Sequence, residues 1–131
     1  MDSSLVKKLQ LKPGQRMVVI NPPAGYAERL AKALEGIEVV IKAPSRSEAM
    51  LVFVNTLAEV SRLTPKGIRS VKPNGLLWIA YPKGSAKVKT DVNRDRLQEA
   101  VEPLGWSGVR LIAMDEVWSV MRFRPARKEG Q

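Results

Sequence analysis

The chain has 131 residues, 44% of them hydrophobic and 27% charged, values that exclude a largely disordered or collagen-like protein and suit one domain. It contains no cysteine and no histidine, which excludes disulfides, zinc–thiolate sites, a thiol nucleophile and the usual general base near neutral pH. Lys and Arg number 22 against 13 Asp and Glu, and the net charge of +9 favours polyanionic partners without specifying one.

The first half of the chain predicts buried strands separated by helical segments. An amphipathic lead-in over 1–11 precedes a strand at 17–20, because that run is apolar throughout and rich in Val and Ile. A helix follows, with apolar residues at helical spacing from 27 to 34 and a terminating glycine at 36. Two further apolar runs predict strands at 39–41 and 50–54, joined by a short turn.

The second half continues the alternation. Thr56 and Glu59 form a capping-box pattern, and Thr64-Pro65 predicts a second helix start. Next come a turn at 72–75, a strand at 76–80, a lysine-rich loop at 81–91 and a helix capped by Asn93. Strands at 109–114 and 117–123 would then pair antiparallel. Of the three tryptophans, we expect Trp78 in the core and Trp106 and Trp118 half exposed.

These elements predict an α/β fold of three layers, a Rossmann-like, mostly parallel sheet of about six strands with a C-terminal antiparallel hairpin. We expect a single domain over 1–124 and a flexible basic tail over 125–131. No apolar run reaches the roughly 18 residues of a membrane span, and the N-terminus lacks a secretory pattern, so we expect a cytoplasmic protein with no membrane partner.

Several segments resemble a known family. Residues 11–20 resemble the lead-in to the first strand of class I methyltransferases, and residues 71–79 resemble their segment before the fifth strand. The whole chain resembles a family of short bacterial proteins of unknown function that look like truncated methyltransferases; the matching pieces are Lys12-Pro13-Gly14, Asn21 with Pro23 and Gly25, 72–78, Tyr81-Pro82-Lys83, and 115–119 before Arg122-Phe123. The resemblance implies a methyltransferase-like sheet of strand order 2-1-3-4-6-5 and assigns no activity.

The turn after the first strand argues against the cofactor of that family, S-adenosylmethionine. That cofactor normally lies over a glycine-rich turn, whereas Asn21-Pro22-Pro23-Ala24-Gly25 has one glycine and two prolines without amide donors. The second strand is followed by Lys42, where an acidic residue would be expected to bind the ribose. We therefore expect no cofactor, and the sequence assigns no catalytic residue and no metal ligand.

Asn21-Pro22-Pro23 also resembles the catalytic motif of amino-methylating nucleic-acid methyltransferases. In that motif an aromatic residue follows directly, whereas here Ala24 takes that position and Tyr26 comes two residues later. We interpret the segment as a rigid strand-to-helix turn in which Asn21 bonds the local backbone.

Two groups of candidate site residues remain. Ligands of open α/β sheets bind beyond the carboxyl ends of the strands, and the polar or turn residues predicted there are Asn21, Gly25, Tyr26, Asn55, Tyr81, Lys83 and Asp115. Basic residues on a helix or in the lysine-rich loop form a candidate polyanion surface of Arg62, Lys66, Arg69, Lys87 and Lys89.

Two functions follow from these groups. The first is a non-catalytic methyltransferase-like module that binds a macromolecule, either nucleic acid or an acidic protein, through its basic surface. The alternative is a small-molecule-binding protein or a divergent S-adenosylmethionine-dependent methyltransferase that uses the carboxyl-end cleft. A homodimer through an exposed sheet edge is a further expectation.

Overall fold

The computed structural model describes residues 3–41, 46–86 and 88–126. The helices are α1 (Ser3–Lys8), α2 (Tyr26–Ala33), α3 (Leu57–Ser70) and α4 (Arg94–Val101), with a 3₁₀ turn at Glu102–Leu104. The strands are β1 (Arg16–Ile20), β2 (Glu38–Val40), β3 (Ser47–Phe53), β4 (Val71–Pro82), β5 (Trp106–Ala113) and β6 (Trp118–Pro125). Within the described residues, none of the helices combines the length with the apolar character that crossing a bilayer requires.

The six strands form one sheet in the order β2-β1-β3-β4-β6-β5. Strands β2, β1, β3 and β4 are parallel, and β6 runs antiparallel to both β4 and β5. This arrangement confirms the predicted fold class and the strand order that the family resemblance implied. Strand β2 is added on one side of β1 and strand β3 on the other, so the order in which strands are added reverses between β1 and β3. Open α/β sheets bind ligands at the carboxyl ends of the strands beside such a reversal.

Helices cover both faces of the sheet and divide the core into two layers. One layer contains the apolar side of α1 and α2 with Met17, Val19 and Trp78. The other contains the apolar sides of α3 and α4 with residues such as Val18 and Ile79. Because successive strand residues point to opposite faces, apolar residues on both sides of β1, β3 and β4 account for the continuous apolar runs in the sequence.

Residues 72–75, predicted as a turn between helix and strand, lie inside β4, so that prediction is wrong. Ser47 faces Val71 and Ala49 faces Leu76, so these four residues form a bulge opposite the single residue Glu48. The Pro-Asn-Gly composition is typical of turns, but it also suits a bulge in which ladder bonds are interrupted.

The predicted second helix start at Thr64-Pro65 is also wrong, because α3 runs without interruption from Leu57 to Ser70 with Pro65 inside it. The helix lies against the sheet, where a Cβ on Gly67 would approach Val52 and Leu77 side chains at 3.2 and 3.1 Å. Burial of the apolar side of α3 against β3 and β4 outweighs the cost of an internal proline.

All three tryptophans are buried. Trp78 is fully buried, as predicted, and its indole donates to the carbonyl of Leu9 at 3.1 Å. Trp106 and Trp118 are 9% and 6% exposed, so the prediction of half-exposed rings is wrong. Pro125 ends β6, and the predicted tail beyond residue 126 lies outside the described residues, as do residues 42–45.

Candidate ligand site at the carboxyl edge of the sheet

Asn21 follows β1 directly and adopts a left-handed backbone conformation with φ of 60°. Its side-chain Nδ2 donates to the carbonyl oxygen of Phe53 at 3.0 Å and to Oε2 of Glu59 at 3.1 Å. The predicted bond to the local backbone is therefore wrong, since the partners belong to β3 and α3. The side chain crosses the gap between β1 and β3, the position where the sheet changes direction.

Glu59 connects this gap to the start of α3. Its Oε1 accepts from the backbone amide of Asn55 at 2.6 Å, while the Thr56 hydroxyl accepts from the Glu59 amide at 3.1 Å. The threonine half of the predicted capping box is confirmed, and the glutamate bonds one residue earlier than the box requires. Arg62 lies 3.7 Å from Oε2 of the same carboxylate.

The loop after β4 folds over the same helix terminus. The Thr90 hydroxyl donates to the carbonyl of Asn55 at 2.6 Å, and Oδ1 of Asp91 accepts from the amide of Leu57 at 2.8 Å. Two of the amides at the start of α3, those of Leu57 and Glu59, are thus bonded to side chains of this chain. These two amides are bonded by the Asp91 carboxylate and the Thr56 hydroxyl rather than open to a ligand.

Tyr26 and Asp115 meet at the start of α2. Gly25 caps that helix with φ of 75°, and the amide of Tyr26 donates to the carbonyl of Pro23 at 3.0 Å. This turn directs the Tyr26 hydroxyl to Oδ2 of Asp115, to which it donates a hydrogen bond. Oδ1 of Asp115 accepts from the amides of Val117 and Trp118, both at 2.8 Å, which confirms the predicted backbone bonding of this turn.

An aromatic cluster supports the pair. The ring of Phe53 lies 5.2 Å from that of Tyr26 and 5.0 Å from that of Trp118, both in edge-to-face geometry. The guanidinium of Arg29 lies 5.1 Å from the centroid of the Tyr26 ring, within cation–π range. Tyr26 is only 8% exposed, so its ring is a fixed wall rather than a mobile side chain.

The protonation states of the pair follow from these contacts. Burial raises the pKa of the Tyr26 hydroxyl well above its ordinary value, and the hydrogen bond to Asp115 adds to the rise. Burial works to raise the pKa of Asp115, but the hydrogen bonds from Tyr26, Trp118 and Val117 outweigh it and lower the pKa. At neutral pH Tyr26 is a donor and Asp115 an acceptor, an arrangement suited to binding rather than to proton transfer.

Two cavities lie on either side of this pair. The larger, about 370 Å³, is lined by Pro23, Tyr26, Arg29, Asp115, Glu116 and Trp118. The smaller, about 210 Å³, extends from the same contact towards Leu5 and Leu30. Two larger grooves, of about 560 and 510 Å³, lie elsewhere, beside β2 and at the amino edge of the sheet.

The remaining predicted cleft residues do not join this cavity. Tyr81 is buried in the α3 and α4 layer, on the other face of the sheet, and burial raises the pKa of its hydroxyl. The amide of Lys83 donates to the carbonyl of Val117 at 2.7 Å and ties β4 to the hairpin turn. Of the seven candidates, the structure joins Tyr26 to Asp115 directly, and it brings Asn21 and Asn55 together on Glu59.

Two residues of the site, Arg29 and Glu59, were not predicted as site residues from the sequence. Arg29 lies one helical turn after Tyr26, and that spacing is a signal for a shared helix face. The sequence predicts only a capping role for Glu59, whereas its carboxylate also accepts from Asn21, which follows β1. No local pattern shows that second bond, because 38 positions separate the two residues.

The residues of the turn after β1 do not fit a binding site for S-adenosylmethionine, the cofactor that the fold family implies. Pro22 and Pro23 offer no amide, and the amide of Tyr26 is already bonded to Pro23. The Asn21 side chain spans the gap between the carboxyl ends of β1 and β3, the position where open α/β sheets bind ligands. Lys42, predicted in place of the ribose-binding acid, lies outside the described residues. Across the described ranges, no three acidic side chains converge as a metal site.

The predicted polyanion surface is placed only in part. Because α3 is continuous, Arg62, Lys66 and Arg69 share one exposed face of that helix. Lys89 is exposed in the loop after β4, and Lys87 lies outside the described residues. Binding of a polyanion by these residues stays a prediction.

The fold is that of S-adenosylmethionine-dependent methyltransferases. A ribosomal protein L11 methylase from Lactobacillus delbrueckii subsp. bulgaricus superposes with a TM-score of 0.58 at 8% identity, over 94% of this chain and 75% of that one. A SAM-dependent methyltransferase from Aquifex aeolicus gives 0.57 at 14% identity, over 92% and 87%. DhpI in its complex with SAH gives 0.58 at 13% identity, over 86% and 78%.

No protein-family model and no curated protein sequence matches the chain. At the low identities of the structural neighbours, the likeness establishes the fold and leaves the activity to be argued from the site.

Proposed function

We propose that this chain is a small-molecule-binding protein with a methyltransferase fold, and that its ligand occupies the cavity between α2 and the β5–β6 turn. The observation that carries the proposal is the cavity of about 370 Å³ around Tyr26, Arg29 and Asp115. Its volume falls within the range of small-molecule sites. It also lies beyond the carboxyl ends of the strands, where open α/β sheets bind ligands.

The lining favours a ligand that carries both signs of charge. Both oxygens of Asp115 are already bonded, to the Tyr26 hydroxyl and to two amides. Glu116 is exposed and makes no ion pair within the described residues, so its carboxylate is free to bind a ligand cation. The exposed guanidinium of Arg29 provides the complementary site for a carboxylate or phosphate.

The walls of the cavity also offer apolar surface to a ligand. Pro23 and the rings of Tyr26 and Trp118 line it beside the charged groups. An amphoteric molecule with an apolar or aromatic part, such as an amino-acid derivative, matches this combination of surfaces.

A divergent S-adenosylmethionine-dependent methyltransferase is the second candidate, and the fold supports it, since DhpI has been solved with SAH. That function would require Asn21 to release Phe53 and Glu59. The first function predicted from the sequence, a non-catalytic module that binds a macromolecule through its basic surface, stays a prediction.

The test is a thermal-shift screen of amino acids, nucleotides, acyl phosphates and S-adenosylmethionine, followed by calorimetry on the compounds that raise Tm. We expect Arg29→Gln/Glu116→Gln to weaken binding of the best compound at least about tenfold, a loss of about 1.4 kcal/mol. The matched control is Lys66→Gln/Glu99→Gln, which removes the same two charges from exposed helix positions outside the cavity. An unchanged affinity in the cavity variant, or no stabilising compound, would contradict the proposal.

A further inference from the structure

Three arginines lie side by side on one face of the antiparallel end of the sheet. Trp118 and Val120 point into the layer beneath α1 and α2. Arg122 and Arg124 follow at steps of two along β6 and so point to the same face. Arg110 on β5 lies directly opposite Arg122 and shares that face.

These arginines have no acidic partner within the described residues. None of the ion pairs there includes Arg110, Arg122 or Arg124. Arg122 donates from Nη1 to the amide oxygen of Gln10, while its buried Nε has no hydrogen-bond partner. Burial lowers the pKa of Arg122, and repulsion from Arg124 and Arg110 lowers it further.

Like charges directly opposite each other on paired strands reduce stability. A fold selected only for stability would place a carboxylate or a neutral residue opposite Arg122. Guanidinium groups without an acidic partner suit an anion instead, because they bind phosphate through two parallel hydrogen bonds.

We propose that this arginine cluster binds the phosphate backbone of single-stranded nucleic acid. Residues two apart on a strand are separated by about 6.8 Å, and opposite residues on paired strands by about 5 Å, so the cluster spans adjacent charges of a polymer. Arg110 and Arg124 are exposed, which leaves the surface open to a chain that passes across it.

A groove beside the cluster suits an unstacked base or sugar. Gln10, which bonds Arg122, also lines the cavity of about 510 Å³ at the amino edge of the sheet, together with Lys12, Lys72 and Asn74. The side-chain amides of Gln10 and Asn74 can bond the Watson–Crick edges of bases, which a single strand exposes and a duplex does not. No aromatic side chain lines this groove, so we expect contacts to the backbone to dominate and sequence preference to be weak.

The site is separate from the cavity of the proposed function and from the basic face of α3. It lies towards the amino ends of the parallel strands, whereas Tyr26 and Asp115 lie at their carboxyl ends. The two sites can therefore be removed independently.

The test is fluorescence anisotropy with a labelled mixed-sequence single strand of about 16 nucleotides, the upper site size of a single-strand-binding module. At about 50 mM salt we expect Arg110→Gln/Arg124→Gln to weaken binding at least tenfold. The slope of log affinity against log salt should fall by about 1.4 for two lost phosphate contacts. The control Lys32→Gln/Arg94→Gln removes the same charge from exposed helix positions outside the cluster and outside the basic face of α3, and should cost less than about threefold.

Equal losses in the two variants would overturn the proposal, because they would show that only the net charge matters. No binding at low salt, tighter binding of a duplex, or more effective competition by inorganic polyphosphate at equal charge would also overturn it. A stability measurement adds an independent check. Without nucleic acid, Arg110→Gln should raise Tm by about 1–4 °C through relief of the repulsion, and a fall in Tm would contradict the argument.

Discussion

The hydroxyl of Tyr26 donates a hydrogen bond to Asp115, which lies 89 positions later in the chain. The bond joins the first turn of α2 to the β5–β6 turn and so fixes one wall of the candidate cavity. Its acceptor is an ionised carboxylate, and hydrogen bonds to charged groups contribute about 1.5–3 kcal/mol.

Tyr26→Phe should therefore destabilise the protein by about 1.5–3 kcal/mol, because it removes the hydroxyl and keeps the ring. Tyr81→Phe is the matched control, since Tyr81 is equally buried and its hydroxyl bonds the neutral side chain of Ser119. We expect the control to lose about 0.5–1.5 kcal/mol in urea unfolding. A loss in Tyr26→Phe no greater than in Tyr81→Phe would contradict the role of the Asp115 contact.

The pH dependence of stability should reveal the lowered pKa values of Asp115 and Glu48. The carboxylate of Glu48 accepts hydrogen bonds from the Lys72 ammonium and from the Arg16 amide, and both lower its pKa. A carboxyl with a lowered folded-state pKa stabilises the protein above its unfolded pKa of about 4 and loses that contribution as the pH falls through the folded value. The free energy of unfolding should therefore drop between about pH 5 and pH 2.

Asp115→Asn should show a smaller drop over the same range, because it removes one of the two groups. The measurement is urea unfolding of both proteins at several pH values. Equal pH dependence in the two proteins would show that Asp115 does not contribute.

The bulge in β4 depends on a glycine. A Cβ on Gly75 would lie 2.6 Å from Cγ2 of Val71 and 2.7 Å from the carbonyl oxygen of Glu48. The carbonyl belongs to the backbone of a central strand and cannot move away cheaply. Gly75→Ala should therefore cost about 1–3 kcal/mol in thermal or urea unfolding.

Gly84→Ala is the control for this substitution. Gly84 lies in the loop after β4, has nothing within 4 Å of the added Cβ and has no positive φ. We expect a change within about 0.5 kcal/mol. Equal stability of the two variants would mean that the bulge adapts to a side chain.

The bond from Asn21 across the β1–β3 gap gives a charge-dependent prediction. Asn21→Asp would place a carboxylate against the Phe53 carbonyl and Glu59, and should cost about 1–3 kcal/mol. Asn21→Gly keeps the positive φ without strain and should cost about 1 kcal/mol for the lost bonds. Added salt should recover part of the loss in the aspartate variant only. An aspartate variant as stable as the wild type would exclude the bridging role.

The central strands were predictable because both of their faces are covered. Apolar runs at Met17–Ile20 and 50–54 give a clear signal when no polar residue is needed on either side. The Asn93 cap was predictable from local chemistry and is confirmed by its bond to the amide of Arg96 at 2.9 Å. The strand order came from the family resemblance, since local pattern does not specify which strands are adjacent.

Predictions failed where tertiary packing overrode a local signal. Pro65 is a strong helix-start residue, but burial of the apolar side of α3 keeps one helix through it. The 72–75 segment has turn composition, and the neighbouring strand holds it in a bulge. Trp106 and Trp118 are buried because neighbouring layers pack over the hairpin. No periodicity in the sequence predicts this burial.

The sequence predicted which polar residues lie near the carboxyl edge of the sheet. It did not predict which of their side chains contact one another. Strand ends identify Asn21, Asn55 and Lys83. Which face of the sheet a strand residue points to depends on strand register, and this places Tyr81 of β4 in the layer of α3 and α4, away from Tyr26 on α2.

NMR chemical-shift mapping of the backbone amides tests the central claim most directly, with S-adenosylmethionine and the best screened compound titrated separately into the wild-type protein. We predict that the compound shifts the amides of residues 24–29 and 114–118, around Tyr26 and Asp115, and that S-adenosylmethionine leaves residues 53–59 unchanged. Saturable one-to-one shifts of Phe53 through Glu59 with S-adenosylmethionine would contradict it, because they would show that the Asn21 bridge opens to admit the nucleoside.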